Sequence, residues 1–138
     1  VPDAFPVTIY HNPDCGTSRN ALAMIEAAGY SPHVVEYLKA GWTRPLLTQL
    51  LTDMSLTPRD IVREKGTPAA DLGLLDIATS DDAIMDAMLS HPILVNRPIV
   101  VTPKGTALCR PSERVLPLLE NVLVQFTKED DEIVPLQK

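Results

Sequence analysis

Cysteine is scarce in this chain: Cys15 and Cys109 are the only two in 138 residues, and no C-x-x-C pair occurs. Two cysteines cannot build the disulfide framework of a small secreted domain, and in a reducing compartment both are expected to stay as thiols. Histidine is as thinly spread, with His11, His33 and His91 far apart, which argues against a four-ligand zinc site. Positive charge is in deficit: 12 Lys and Arg face 18 Asp and Glu, for a formal net charge of -6. Binding to nucleic acid depends on clustered Lys and Arg meeting phosphates, so nucleic acid is not an expected partner. No apolar run approaches the roughly 20 residues that span a bilayer, and no basic leader with an apolar h-region opens the chain. The expectation is a cytoplasmic protein without a membrane contact, acting as a monomer and holding no metal.

What remains is an ordinary globular composition, 45% hydrophobic and 22% charged, long enough for one compact domain spanning residues 1–138. The opening "VPDAFP" is expected to lie outside the core. "VTIY" (Val7 to Tyr10) and "HVVEYL" (His33 to Leu38) are apolar and β-branched and predict two buried strands. Between them "TSRNALAMIEAAG" puts Leu22, Ile25 and Ala28 on one helical face, with Thr17 and Ser18 as N-cap candidates and Gly29 as the stop. The right-handed crossover rule makes the two strands parallel neighbours. A helical insertion over about residues 43–91 follows. "TRPLLTQLLTDM" and "SDDAIMDAML" carry helical periodicity, and "TPRDIVREKG" predicts a short capped helix. Strands return with "ILV", "PIVVT" and "TALCR", the last two joined as a hairpin by "PKG" (Pro103 to Gly105). A closing helix is predicted from Ser112, kinked or shortened by Pro117. The charged segment over about residues 127–138 is expected to be a flexible tail.

The chemistry concentrates in "VTIYHNPDCGTSRNAL" (Val7 to Leu22). A thiol ahead of a helix N-terminus meets unpaired N–H groups and the positive end of the helix dipole, which favour both the thiolate and an oxyanion beside it. Free cysteines are most often small buried hydrophobes, and Cys109, next to Leu108 in a strand, fits that description. The loop "HNPDCGTS" is too polar and too rich in turn formers to be core, so Cys15 is the candidate nucleophile. Spacing excludes two classes. A C-x-x-x-x-x-R phosphatase loop is absent because Ala21 holds the arginine position, and a dithiol oxidoreductase is absent because Ser18 holds the second cysteine position. A monothiol centre needs an outside thiol to resolve its oxidised form, and glutathione is the candidate. Arg97 and Arg110, each followed by proline at a predicted strand end, supply planar donor forks suited to a tetrahedral oxyanion. Taken singly, each is equally a solvated surface charge.

Together, "YHNPDCGTSRN" and "HPILVNRPIVVTPKGTALCRPSE" closely resemble the glutaredoxin-coupled arsenate reductases, over about Val7 to Asp130. The resemblance implies an α/β, thioredoxin-like fold: a mixed sheet flanked by helices, with the helical insertion between an N-terminal β-α-β unit and a C-terminal hairpin and helix. By position it makes Cys15 the nucleophile and Arg63, Arg97 and Arg110 the oxyanion-binding arginines. Arg63 enters only through the resemblance. His11 matches a histidine near the active cysteine, Ser18 and Arg19 match the start of the first helix, and Pro98 sits where such folds carry a cis proline facing the active loop. For three of these the roles stay open. His11 either supports the thiolate or is structural, Ser18 either donates to the thiolate or caps the helix, and Arg19 either adds charge near Cys15 or is solvated. The implied activity is reduction of arsenate to arsenite with arsenate, glutathione and glutaredoxin as partners, no bound cofactor, and a role in arsenic detoxification. Two alternatives stand beside it: a redox-sensing regulator that binds RNA polymerase, disfavoured by the missing C-x-x-C, and a glutathione-dependent thiol exchanger, which would not need the arginines.

Overall fold

The computed structural model of the chain describes residues 5–120, 125–127 and 133–135. They form two compact units, one from the chain before Tyr37 and from Arg97 onward, the other from Tyr37–Asn96.

The first unit holds a four-stranded mixed sheet in the order β2-β1-β3-β4. Strand β1 (Thr8–His11) is followed by helix α1 (Gly16–Ala27) and strand β2 (His33–Glu36). As the crossover rule requires, β1 and β2 are parallel, with Ile9 opposite Val34. Strands β3 (Ile99–Thr102) and β4 (Gly105–Leu108) form the expected hairpin. Thr102 pairs with Gly105 across a turn of Pro103 and Lys104, and β3 lies antiparallel to β1 with Val100 opposite Ile9. Ala21, Met24 and Ile25 of α1 and its C-cap Ala28 pack with Ile9, Val100, Val115, Leu118 and Leu119 in one core. Each large side chain buried there contributes about 1.5–3 kcal/mol. Helix α1 stops where Gly29 adopts φ +98°. Gly29 N–H donates to the Glu26 carbonyl and Tyr30 N–H to the Ile25 carbonyl, the paired bonds that terminate a helix through a left-handed residue.

Several expectations are corrected here. Phe5, expected outside the core, is buried in it with its ring 5.4 Å from that of Tyr30; residues 1–4 of the same segment lie outside the described residues. Strand β2 is an edge strand rather than a buried one, and His33 and Val34 are exposed. It also ends at Glu36, opposite His11, because β1 offers no further partner. The predicted closing helix is a 3₁₀ helix, Ser112–Leu118, with Pro117 inside it. Proline cannot donate in an α-helical ladder and clashes with the carbonyl four residues back, and the segment instead uses i to i+3 bonds from Arg114 to Pro111 and from Leu119 to Leu116. Of the predicted tail, Thr127 closes strand β5 (Gln125–Thr127), which pairs antiparallel with β6 (Ile133–Pro135); residues 128–132 and 136–138 lie outside the described residues.

In the second unit a one-turn helix α2 (Tyr37–Ala40) leads to α3 (Arg44–Met54), and α4 (Asp81–Ser90) comes later. Thr43 Oγ1 accepts from Leu46 N–H and Ser80 Oγ from Ala83 N–H, capping α3 and α4. Tyr37, predicted as strand, is buried here, stacked on Trp42 with its hydroxyl 3.3 Å from the Val95 carbonyl. "TPRDIVREKG" forms only a 3₁₀ turn, Pro58–Ile61, closed by Thr57 N–H on the Asp60 carboxylate. "ILV" is not a strand. Pro92–Leu94 is a 3₁₀ turn, and only Val95 pairs, in an isolated bridge to Val62. Among the described residues no helix is long and apolar enough to cross a membrane.

Candidate active site

The stretch from His11 to Arg19 builds the site. Only Asn12, Pro13 and Asp14 separate β1 from Cys15, which occupies the N-cap position of α1 with extended dihedrals (φ -100°, ψ 121°). The N-cap is therefore Cys15 itself rather than Thr17 or Ser18. Asn12 folds the loop: its Oδ1 accepts from Asp14 N–H at 2.9 Å, and its carbonyl accepts from Cys15 N–H at 3.0 Å. The Ser18 hydroxyl is buried and occupied, accepting from Asn12 N–H at 3.1 Å and lying 2.6 Å from His11 Nδ1. Arg19, an exposed residue, donates from Nη1 to the Pro13 carbonyl at 2.8 Å.

Two arginines reach this thiol from the ends of the hairpin. Arg110 Nη1 lies 3.7 Å from Cys15 Sγ, and the same nitrogen donates to the Arg97 carbonyl at 2.8 Å. Arg97 is 9% exposed, an unusual burial for a guanidinium. Burial by itself pushes the Cys15 thiol up, but hydrogen bonding from Arg97, from the Ser18 main chain and from Arg110, with the charge of Arg97, outweighs it and brings the pKa down to about 7. The thiolate is thus well populated near neutrality, beside two fixed positive charges that an anionic substrate would meet. His11 behaves differently. Burial lowers its pKa, with Glu36 and Glu26 opposing and Arg19 assisting, so it is the neutral imidazole that faces Ser18 at neutral pH.

Both Arg-Pro bonds, Arg97–Pro98 and Arg110–Pro111, are cis. Pro98 is buried, and its carbonyl accepts from Cys109 N–H at 2.9 Å. Arg63 belongs to the second unit, just past the 3₁₀ turn; its amide donates to the Leu94 carbonyl and its Nε to the Lys65 carbonyl. Cys109 is a core residue, as expected, but it lies just past the end of β4 at Leu108 rather than within the strand. Among the described residues no three His, Cys, Asp or Glu side chains are grouped to hold a metal ion.

The sequence model of the ArsC family matches residues 10–118, a span that contains the whole loop and all three arginines. The chain belongs to the ArsC family. Its relatives in that family include arsenate reductase ArsI2 of Synechocystis sp., 57% identical over 129 residues that cover 93% of this chain and 92% of that protein. The arsenate reductase of Rhizobium meliloti is 58% identical over the same shares of the two chains, and that of Escherichia coli K12 is 50% identical. Among solved structures, the arsenate reductase from Vibrio cholerae superposes with a TM-score of 0.78 at 40% identity, covering 83% of this chain and 98% of that one. The expected fold class, a thioredoxin-like mixed sheet flanked by helices, is the fold observed.

In this ArsC-family chain, sequence reasoning passes over one residue that shapes the site. Asn12 is 2% exposed and ties the loop at three atoms. The signal was the run Asn-Pro-Asp itself, since asparagine ahead of proline commonly folds its side chain onto the backbone two residues on.

Proposed function

We propose that this ArsC-family chain is an arsenate reductase that uses glutathione and glutaredoxin, with Cys15 as nucleophile and Arg63, Arg97 and Arg110 as oxyanion-binding residues. The observation that carries the proposal is the placement of Arg110 Nη1 3.7 Å from a Cys15 sulfur whose pKa is about 7. A thiolate flanked by guanidinium groups at a helix N-terminus is equipped to attack a tetrahedral oxyanion. Arsenate is the one the relatives' names specify. The Arg63 assignment draws on the family resemblance, because its own unit places it at a loop end without revealing a ligand.

The steps balance as follows. The Cys15 thiolate bonds to As(V) and a hydroxide leaves, taken up as water. A glutathione thiolate attacks the Cys15 sulfur; the S–As bond breaks with its electron pair on arsenic, giving As(III) and a Cys15–glutathione disulfide. A glutaredoxin thiolate then attacks the glutathionyl sulfur and returns Cys15 as thiolate. The two electrons gained by arsenic come from the two sulfurs that end in the disulfide. Arg97 and Arg110 favour the thiolate at the start and offset the oxyanion's charge during attack. A mechanism that needs Cys15 reduced suits the cytoplasm.

The test is NADPH consumption through glutathione reductase, glutathione and glutaredoxin, with arsenate added last, comparing the parent with Cys15→Ser. Arsenate-dependent oxidation in the parent that vanishes in the variant is the expected result. A folded, reduced parent without turnover would sink the proposal.

A further inference from the structure

The loop ahead of Cys15 has few main-chain groups with which to hold its shape. Asn12 N–H is taken by Ser18 Oγ, Asp14 N–H by Asn12 Oδ1, and Cys15 N–H by the Asn12 carbonyl. Pro13 has no amide, so its carbonyl is its sole main-chain hydrogen-bonding group. That carbonyl accepts from Arg19 Nη1 at 2.8 Å, while the Arg19 amide donates to the Cys15 carbonyl at 2.9 Å. One residue thus grips the loop on both sides of the thiol, by its side chain ahead of Cys15 and by its main chain behind it. Arg19 is not among the groups that favour the Cys15 thiolate, which are Arg97, the Ser18 main chain and Arg110. Its charge is felt instead at His11, together with burial and against Glu36 and Glu26.

We propose that Arg19 is a positioning residue, whose guanidinium fixes, through the Pro13 carbonyl, the turn that presents the Cys15 sulfur to Arg97 and Arg110. The inference rests on the reading of Cys15 as nucleophile, and assigns Arg19 neither to the oxyanion nor to the thiolate. The bond is on an exposed side chain, so its loss should reduce the population of the aligned loop by only about three- to tenfold.

The experiment is iodoacetamide alkylation of Cys15 against pH, followed by mass spectrometry, for the parent, Arg19→Ala and Arg19→Lys, at about 0.1 and 0.5 M salt. kcat and KM for arsenate are measured beside it. In Arg19→Ala the alkylation midpoint should rise by about half a pH unit or more at both salt concentrations. At pH 7, kcat should fall by about three- to tenfold while KM stays within about twofold. Arg19→Lys, which keeps the charge and loses the planar fork, should fall between the two. Three results overturn the proposal: a raised KM with an unmoved midpoint, which makes Arg19 an oxyanion ligand; a midpoint shift abolished by salt, which makes it a charge effect; or parental behaviour in both variants. If the alanine variant does not fold, Arg19→Lys against the parent decides by the same criteria. Alkylation needs neither arsenate nor glutathione, so a parent without arsenate turnover would defeat the proposed activity and leave the positioning role measurable.

Discussion

The two cysteines lie in the same compact unit and are both buried, Cys15 at 8% and Cys109 at 0% exposure, yet their acidities are driven apart. Burial raises both. At Cys109 it prevails, pushing the thiol up to about 12 against a small opposing effect of Arg114, and the sulfur's hydrogen-bond acceptor is the Ala107 carbonyl at 3.7 Å. At Cys15 burial is overcome by donors, and the pKa falls to about 7. The difference in acidity between the two thiols is therefore what the fold aims at the sulfur, not how far it is removed from water. An end-on helix and two guanidinium groups surround one sulfur, while apolar side chains surround the other.

The harshest way to break this contrast is to delete each sulfur in turn. Cys15→Ser should reduce arsenate-dependent turnover to background, because an alcohol near neutrality offers almost no anion for attack. Cys109→Ala should leave turnover within about twofold and cost about 1 kcal/mol of stability through lost packing. Turnover measured with a denaturation curve on each variant checks both statements. If Cys109→Ala were the inactive one, the assignment of the two sulfurs would be reversed.

Removing a donor rather than the sulfur comes next in size. Arg110→Ala should raise the alkylation midpoint of Cys15 above 7 and lower turnover by about 10²- to 10³-fold, the range for losing a donor that stabilises charge in the reaction. Arg110→Lys should recover only part of this. The guanidinium is held by the Arg97 carbonyl while it addresses the sulfur, and a flexible ammonium retains the charge without that fixed plane. Full recovery by lysine would mean that charge alone suffices.

A third prediction uses stability against pH, where the two thiols act with opposite sign. Cys15 is lowered from 9.0 to about 7, so its contribution is present above the unfolded value and is lost as pH falls through 7. Cys109 is raised from 9.0 to about 12, so its contribution is present below the unfolded value and is lost as pH rises from 9 toward 12. Each contribution is on the order of 2–4 kcal/mol. In urea denaturation, Cys15→Ser should flatten the rise in stability between pH 7 and 9, and Cys109→Ala should remove part of the fall above pH 9. Parallel profiles for parent and both variants would mean that neither thiol is perturbed by folding.

The contrast also marks where sequence stops informing. The thiol at the mouth of a helix was readable because its signals are local: an apolar run, a cluster of turn formers, then helical periodicity. The hairpin was readable from Pro103 to Gly105 for the same reason. What depended on how the chain folds back on itself was not. Phe5 looked like a loose end, but its place in the core is decided by Tyr30, far along the chain. Ser18 looked like a cap, because nothing local reveals that its hydroxyl is taken up by Asn12 and His11. Arg19 looks the same in sequence whether it is solvated or bonded to the Pro13 carbonyl, and only the folded loop separates the two. Arg63 enters the proposed site solely through family resemblance.

The smallest expected effect on the reactive thiol sharpens the comparison most finely. If donors at the sulfur set its acidity, then Ser18 should matter through its main chain and not its hydroxyl, since it is the main-chain group that favours the thiolate. Ser18→Ala keeps that amide. It strips the acceptor from Asn12 N–H and the partner from His11 Nδ1 in a buried setting, which should cost about 1–3 kcal/mol of stability. The Cys15 alkylation midpoint should nevertheless stay near 7. A midpoint that moved upward along with the stability loss would show that the hydroxyl network, rather than the main chain, holds the sulfur among its donors.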